Sequence, residues 1–413
     1  MSDARTHAVT ATDADAAEAV ASAVAAAPFV RLFGHADGDS LAACGLLAVA
    51  FRDREIPFRV HVSSDPAGDA VDVVGRGDDE RDDSQTLVVS RGQPGPADLT
   101  VPASDDRQPA SVAAAAISRE LGVEPDPVLA LAGVIAAGET PGGAGGDDLL
   151  AAAESAALVE RRPGVAVPTA DLATDLAHSM RLDAPFSGDV DAAGELLADL
   201  GIPTDSDTEF DDETRTQLAS AVAVATATAD PAAPQAADSV EAALRPYATP
   251  TAPFATLGGY ADVLSALARE TPGVAVSLAF GAPEAVSEAL ATWRDHAAAA
   301  HAALDAPTTG RYDGVYVLRV ETDRPSVLST VARLACEFRS PEPVALVVSE
   351  PIDGRRRAAL AATEPCGLDD AMATVAHEFG GDAGGTPTQA TLAVADSVDG
   401  ALIAAIREAL ADD

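Results

Sequence analysis

Short apolar runs and helical patterns alternate in the first part of the chain. An apolar run at residues 29–33 is followed by a polar stretch, after which Leu41, Cys44, Ala48 and Phe51 recur on one helical face. This order predicts a strand, a polar loop and a helix. Similar patterns predict further strands at 58–62 and 86–89 and further helices at 12–27, 111–121 and 128–137. Strands that alternate with helices predict a parallel sheet covered by helices.

A second alternating pattern begins near Tyr312. It predicts strands at 315–320, 344–348 and 390–394, a hairpin strand at 356–362, helices at 326–338, 368–379 and 398–410, and a glycine loop at 380–385. The intervening chain is acidic at 204–213 and rich in Ala, Thr and Pro at 226–238, which indicates connecting segments. We therefore predict an α/β protein with two lobes. Its parts are a parallel-sheet domain at 1–200, a helical connector at 201–309 and a smaller α/β domain at 310–413.

The charge balance of the chain is extreme. Its 413 residues include 66 acidic and 26 basic side chains, every basic one is arginine, and the formal net charge is −40. Without lysine the chain lacks the phosphate-binding lysine of a P-loop and the amine of a Schiff-base enzyme. Such acidity argues against a nucleic-acid partner. The lysine-free, Asp- and Ala-rich composition is also typical of halophile proteins, however, and in molar salt the Debye length is only about 3 Å. On that interpretation the net charge reflects the solvent and leaves a polyanionic partner open.

The three cysteines, Cys44, Cys336 and Cys366, are far apart in sequence and odd in number, which fits neither a zinc motif nor a disulfide framework. Free cysteines favour a reducing compartment. The N-terminal residues lack the charged and apolar layout of a signal peptide, and no stretch of about 18 apolar residues is present. We expect a cytoplasmic protein without a membrane partner.

His35, Asp37 and Asp39 alternate at the end of the first predicted strand. Alternation with period 2 would send the three side chains in the same direction, and the carboxyl ends of parallel strands are where ligands collect. One imidazole and two carboxylates suit a divalent cation such as Mn²⁺. The alternative is a polar turn in which Asp39 or Ser40 caps the helix that follows.

Two segments resemble motifs of a known family. Residues 34–43, Gly-His-Ala-Asp-Gly-Asp-Ser-Leu-Ala-Ala, resemble the first motif of the DHH phosphoesterases. Within that superfamily the chain is most similar to the RecJ-type single-strand exonucleases and to their archaeal and eukaryotic relatives in the replicative CMG helicase. The run at 380–386 resembles the nucleic-acid-binding loop of the DHH-associated domain. The resemblance implies two α/β lobes joined by helices and nucleic-acid contacts at Gly380, Gly381, Gly384, Gly385 and Thr386.

The chain departs from the family's metal-binding pattern after the first motif. The resemblance leads us to expect a bridging aspartate, an Asp-His-His triplet, a fourth-motif aspartate and, in the second lobe, a histidine, a serine and an arginine. The chain instead has Ser90, a histidine-free loop at 102–107, Ala137, Asp382, Ala359 and Ala361. Two-metal catalysis needs both cations about 3.5–4 Å apart, clamping the attacking and leaving oxygens. We therefore expect at most one weakly bound Mn²⁺, at His35, Asp37 and Asp39, or none.

Arginine clusters are notable in so acidic a chain. Arg355, Arg356 and Arg357 stand at a predicted hairpin tip, where they are candidates for bidentate contacts with phosphates. The alternative is that they pair with surrounding carboxylates. Arg161 and Arg162 form a shorter cluster that is open to the same two interpretations.

Three functions follow from these patterns. The first is a catalytically degenerate RecJ-like scaffold of DNA replication or repair, whose partners the resemblance implies to be GINS-type or helicase-type proteins or an active RecJ paralogue. The second is a working Mn-dependent exonuclease or phosphodiesterase that uses His35, Asp37 and Asp39. The third is a passive binder of single-stranded DNA or RNA.

Overall fold

The first lobe contains the predicted parallel sheet. The computed structural model describes residues 13–64, 69–70, 84–89, 99–101, 108–204, 210–395 and 399–410. Within them, four parallel strands are ordered β2-β1-β3-β4: β1 (Val30–His35), β2 (Phe58–Ser63), β3 (Gln85–Val89) and β4 (Leu99–Val101). The expected α/β fold class is confirmed.

Among the residues that the structure describes, this part of the chain has five helices: α1 (Asp13–Ala26), α2 (Gly38–Asp53), α3 (Ala110–Glu120), α4 (Pro127–Ala136) and α5 (Asp147–Ser155). The helix α2 is central because it is apolar on nearly every side, and Leu41, Leu47 and Phe51 are fully buried. The sequence patterns had not predicted α5.

The middle of the chain is mostly helical. It contains α6 (Leu172–His178), α7 (Val190–Asp199), α8 (Asp212–Ala227), α9 (Ala236–Glu241), α10 (Leu257–Glu270), α11 (Pro272–Ala279) and α12 (Glu284–Asp305), with a two-stranded antiparallel sheet of β5 (Glu160–Arg161) and β6 (Tyr247–Ala248). Tyr260, Leu264 and Trp293 belong to the same hydrophobic core as α2. The helices α10 and α12 are therefore packed as part of the first lobe's core.

The second lobe is built on a six-stranded sheet ordered β11-β12-β10-β9-β8-β7. Its strands are β7 (Thr308–Tyr312), β8 (Val315–Val320), β9 (Val344–Ser349), β10 (Arg355–Ala362), β11 (Asp382–Thr386) and β12 (Gln389–Ala395). Only β8 and β9 pair in parallel. The predicted hairpin of β9 and β10 is confirmed. The predicted glycine loop at 380–385 is wrong, because Gly380 ends a helix and the following residues pair with β12 as a strand.

Three of the described helices cover the second sheet: α13 (Leu328–Leu334), α14 (Leu368–Phe379) and α15 (Asp399–Ala409). The single helix predicted at 326–338 is instead a 3₁₀ turn (Pro325–Val327), α13 and a π-helical turn (Ala335–Arg339). One face of the sheet packs on α14 and α15, and the other packs on α13 and the middle helices. None of the described helices combines the length and apolar character that crossing a bilayer requires.

Asp175 in α6 is a buried carboxyl group whose charge should influence stability. It is 0% exposed, and its Oδ2 accepts hydrogen bonds from Thr169 N and Thr169 Oγ1 at 2.7 and 2.8 Å. Burial raises the pKa of Asp175 to about 7, although the bonds from Thr169 oppose this. Between the unfolded value near 4 and about pH 7, the folded chain holds the proton more tightly than the unfolded chain does, so this group makes stability fall as pH rises.

We predict that Asp175→Asn removes this pH-dependent loss while keeping an oxygen acceptor for Thr169. The variant should gain stability relative to the parent between pH 5 and pH 8, by a few kcal/mol at roughly 1.4 kcal/mol per pKa unit. Denaturant unfolding of both proteins at the two pH values measures the difference. A constant difference between variant and parent would show that Asp175 titrates normally.

Candidate functional site

The turn after β1 brings His35 and Asp37 together. Asp37 is the N-cap of α2, and its Oδ1 accepts a hydrogen bond from Ser40 N at 2.8 Å. Its Oδ2 lies 2.7 Å from His35 Nδ1 and accepts from Ser40 Oγ at 3.1 Å. The prediction that Asp39 or Ser40 would cap this helix was therefore wrong by two or three positions.

Asp39 points elsewhere. Its side chain is buried, and its two oxygens accept hydrogen bonds from Ala110 N at 2.7 Å and Ser111 N at 3.0 Å. These are backbone N–H groups of the first turn of α3, whose own N-cap, Pro109, makes no side-chain cap bond. We expected the side chains of His35, Asp37 and Asp39 to point in the same direction. The structure corrects this expectation for Asp39, because the chain is already helical at Gly38 and the period-2 alternation ends before Asp39.

The described residues do not fit a two-metal centre. Among them, no three His, Cys, Asp or Glu side chains come together as a group able to hold a metal ion. Ala137, at the position of the fourth-motif aspartate, belongs with Asp37 to the lining of a cleft and offers no ligand atom in its side chain. Ser90 and residues 102–107, at the positions of the second and third motifs, lie outside the described residues.

This cleft of about 700 Å³ lies between the two lobes. His35 and Asp37 line one side, and α10 and α13 contribute further walls. The charged side chains of the described lining are four arginines and three carboxylates, whereas the whole chain has 26 basic and 66 acidic residues. Basic side chains therefore outnumber acidic ones in the described lining of the cleft, whereas acidic side chains predominate in the chain as a whole. Its arginines are Arg269, Arg333, Arg355 and Arg357, and its carboxylates are Asp37, Glu270 and Asp382.

The two helical arginines are held by backbone carbonyl groups. Arg269 donates to Ser265 O at 2.7 Å, and Arg333 donates to Met180 O at 2.6 Å and to Glu337 Oε2 at 2.7 Å. Burial lowers the pKa of Arg269 to about 10, with Arg333 adding to the effect and Asp37 opposing it. Both guanidinium groups remain charged at neutral pH and are fixed in place.

The arginines of β10 divide between the two faces of the sheet. Arg355 and Arg357 line the cleft, whereas Arg356 is buried and donates to Ser349 O at 3.1 Å. Arg355 is paired with Asp382 at 2.7 Å. Arg357 differs from it, because its Nε is buried and has no hydrogen-bond partner in the described part of the chain. The expectation that Arg356 joins its neighbours at a phosphate is therefore corrected.

The glycine-rich segment reaches the cleft only in part. Gly384, Gly385 and Thr386 belong to the described lining, while Gly380 and Gly381 lie outside it, at the end of α14. A Cβ on Gly385 would lie 2.3 Å from Gln389 O, so only glycine permits this close pairing of β11 and β12. The wall at this point is therefore bare backbone.

Glu270, which the sequence patterns did not single out, connects the lobes at the cleft. Its Oε1 lies 2.7 Å from His296 Nδ1, 2.7 Å from Ser326 Oγ and 3.1 Å from an Arg324 nitrogen. The bond from His296 is the main cause that lowers the pKa of Glu270 to about 2. Burial lowers the pKa of His296, so the neutral ring donates from Nδ1 and accepts at Nε2 from Thr330 Oγ1 at 2.9 Å. No motif or spacing in the sequence would have found this group.

Comparison with known proteins places the chain in a family. A family model described as "Uncharacterized protein rrnAC1427, C-terminal domain" matches residues 307–408. The protein rrnAC1427 of Haloarcula marismortui is 48% identical over 365 residues, which cover 88% of this chain and 89% of the relative. The chain belongs to the rrnAC1427 family.

The fold of this rrnAC1427-family chain is that of CDC45 and RecJ. CDC45 from Entamoeba histolytica is similar with a TM-score of 0.59 at 9% identity, covering 96% of this chain and 99% of CDC45. RecJ from Thermus thermophilus, solved in complex with Mn²⁺, is similar with a TM-score of 0.51 at 14% identity. That match covers 97% of this chain and 55% of RecJ, so the chain spans about half of the RecJ length. The expected RecJ-like fold is confirmed.

We predict that Asp39→Ala destabilises the rrnAC1427-family chain by about 2–4 kcal/mol, because two buried N–H groups lose their charged acceptor. Asp39→Asn keeps one good acceptor oxygen and should cost less. As a control, His35→Ala should cost less than about 1 kcal/mol, since it leaves no buried backbone donor unsatisfied. Guanidinium unfolding measures all three. An Asp39→Ala variant as stable as the parent would refute the structural role.

Proposed function

We propose that the chain is a RecJ-like protein of DNA replication or repair that binds single-stranded nucleic acid in the interlobe cleft and has lost two-metal catalysis. The observation that carries this proposal is Arg357 Nε, a buried guanidinium donor without a partner in the described structure, in a cleft with three other arginines. Arginine guanidinium groups bind phosphate oxygens through strong, often bidentate hydrogen bonds. An anionic ligand in this cleft would supply an acceptor for that donor.

The shape of the cleft supports an extended strand as the ligand. Arginines come from α10 of the first lobe and from α13 and β10 of the second, so phosphates along a strand could be contacted from both lobes. The bare backbone at Gly384 and Gly385 allows a base or sugar to approach closely. Neither feature reads base identity, so we propose binding without sequence preference, to DNA or RNA.

The contacts made by His35, Asp37 and Asp39 support the proposed loss of catalysis. Asp39 is committed to α3, and His35 and Asp37 are bonded to each other, so one imidazole and one carboxylate remain for a cation. We propose that at most one Mn²⁺ binds here, weakly. The alternative, an active Mn-dependent exonuclease that uses His35, Asp37 and Asp39, would require Asp39 to abandon two buried N–H groups.

A protein that binds a strand without cutting it acts as a scaffold. We propose partners of the GINS or helicase type, or an active RecJ paralogue, in a cytoplasm of high salt. The CDC45-like fold and the acidic, lysine-free composition support this part of the proposal. In molar salt the acidic surface repels a polyanion only at short range, so the cleft arginines dominate binding.

We predict that Arg357→Ala weakens binding of labelled single-stranded DNA about tenfold, as expected for one lost charge-assisted phosphate contact. The slope of log affinity against log salt should also fall by about 0.7, the value for one phosphate on a single strand. Fluorescence anisotropy across a KCl series measures both quantities.

The matched control is Arg52→Ala, which removes the same charge from an exposed position paired with Asp53. It should leave affinity and slope nearly unchanged. No binding of single-stranded DNA or RNA at any salt concentration would refute the proposal. Equal losses of affinity in Arg357→Ala and Arg52→Ala would show that binding depends on the net charge of the chain alone.

A further inference from the structure

A second cavity of about 530 Å³ lies away from the interlobe cleft, and the described linings of the two cavities share no residue. It is formed by the segment after β5, the start of α8 and the segment that leads into α10. Its volume lies within the range of small-molecule pockets. The walls are mainly apolar and include Val165, Val167, Leu172, Ile202, Leu218 and Phe254.

The lining of the cavity is stiffened by prolines and offers few polar side chains to a ligand. Five prolines line it, and each fixes its own backbone φ angle. Three of its hydroxyl groups are already used within the protein. Thr169 Oγ1 donates to Asp175, Thr249 Oγ1 donates to Phe254 O, and Thr256 Oγ1 donates to Val167 O at 2.8 Å. A ligand body in this cavity therefore meets few groups that require hydrogen bonds.

One side of the cavity is positively charged. Arg162 and Arg215 are the only charged residues of the lining that the structure describes, in a chain with 66 acidic residues. Arg215 is positioned by its Nε, which donates to Phe210 O at 2.9 Å. The cavity thus combines an apolar body with a cationic end.

A carboxylate of the protein already lies at this cationic end. Glu160, outside the lining, is paired with Arg162, and its pKa is lowered mainly by the hydrogen bond from Arg162 and also by the charge of Arg215. Glu160 is exposed, so its contact with Arg162 is easily exchanged. The position of Glu160 indicates where the carboxylate of a ligand would be received.

We propose that this cavity binds a small amphiphilic organic anion. Its aromatic or branched aliphatic body fills the proline-lined space, and its single carboxylate replaces Glu160 at Arg162 and interacts with Arg215. This site is independent of the proposed nucleic-acid function, since it shares no residue with the described lining of the cleft.

The test uses two probes of the same shape, naphthalene-1-acetate and the neutral naphthalene-1-acetamide. Calorimetric titration of the full chain in molar KCl should show the anion binding about tenfold more tightly than the amide, as expected for charge-assisted bonds. Arg215→Ala should reduce that preference, because only Arg162 then remains for the carboxylate, while leaving amide affinity within about twofold, because the apolar walls remain. Glu160→Gln should strengthen binding of the anion alone, because a competing carboxylate charge is removed.

Arg245→Ala is the matched control, since this arginine lies on a neighbouring groove and outside the lining. This variant should change neither the affinity for the anion nor the affinity for the amide. Glu160→Gln replaces an exposed side chain and keeps the test valid if Arg215→Ala fails to fold. Failure of both probes to bind, equal affinity for the two probes, or no effect of Glu160→Gln on the anion would each overturn the proposal.

Discussion

The carboxylate of Glu270 accepts hydrogen bonds from His296 and Ser326 and pairs with Arg324, so one side chain of α10 joins three segments of the chain. His296 in turn accepts from Thr330 in α13. These contacts run from the core of the first lobe to the first helix of the second, and Glu270 itself lines the cleft. The spacing of the cleft arginines depends on this junction, because Arg269 and Arg333 lie on the two helices that it connects.

Asp39, whose side chain is buried, is a second carboxylate that holds elements of the fold together. Asp39 binds the start of α3 and thereby fixes the packing of α2 against it. The same bonds withdraw Asp39 from the cleft, where His35 and Asp37 remain. A residue of the segment that resembles the first motif of the DHH phosphoesterases thus holds two helices together. Our proposal assigns anion binding in this cleft to its arginines, without a pair of metal ions.

Local sequence patterns predicted most of the helices and strands. They could not predict contacts between residues that are far apart in the sequence. The strand Val315–Val320 and the helix Leu368–Phe379 have the predicted bounds, because period and end signals are local. Gly384 belongs to a strand because β12 supplies its partner, which composition does not reveal. Asp39 meets its partners 71 and 72 residues away, and no motif encodes that contact. The division of the β10 arginines depends on which sheet face meets the first lobe.

The central claim, that the cleft holds a strand without cutting it, is tested most directly by a single-turnover assay. End-labelled single-stranded DNA is incubated with excess protein and Mn²⁺ in molar KCl, and bound and shortened DNA are measured in the same samples. We predict that the DNA is bound and remains full length. Shortened products that disappear in the His35→Ala and Asp37→Ala variants would contradict this account and show that the first motif still supports hydrolysis.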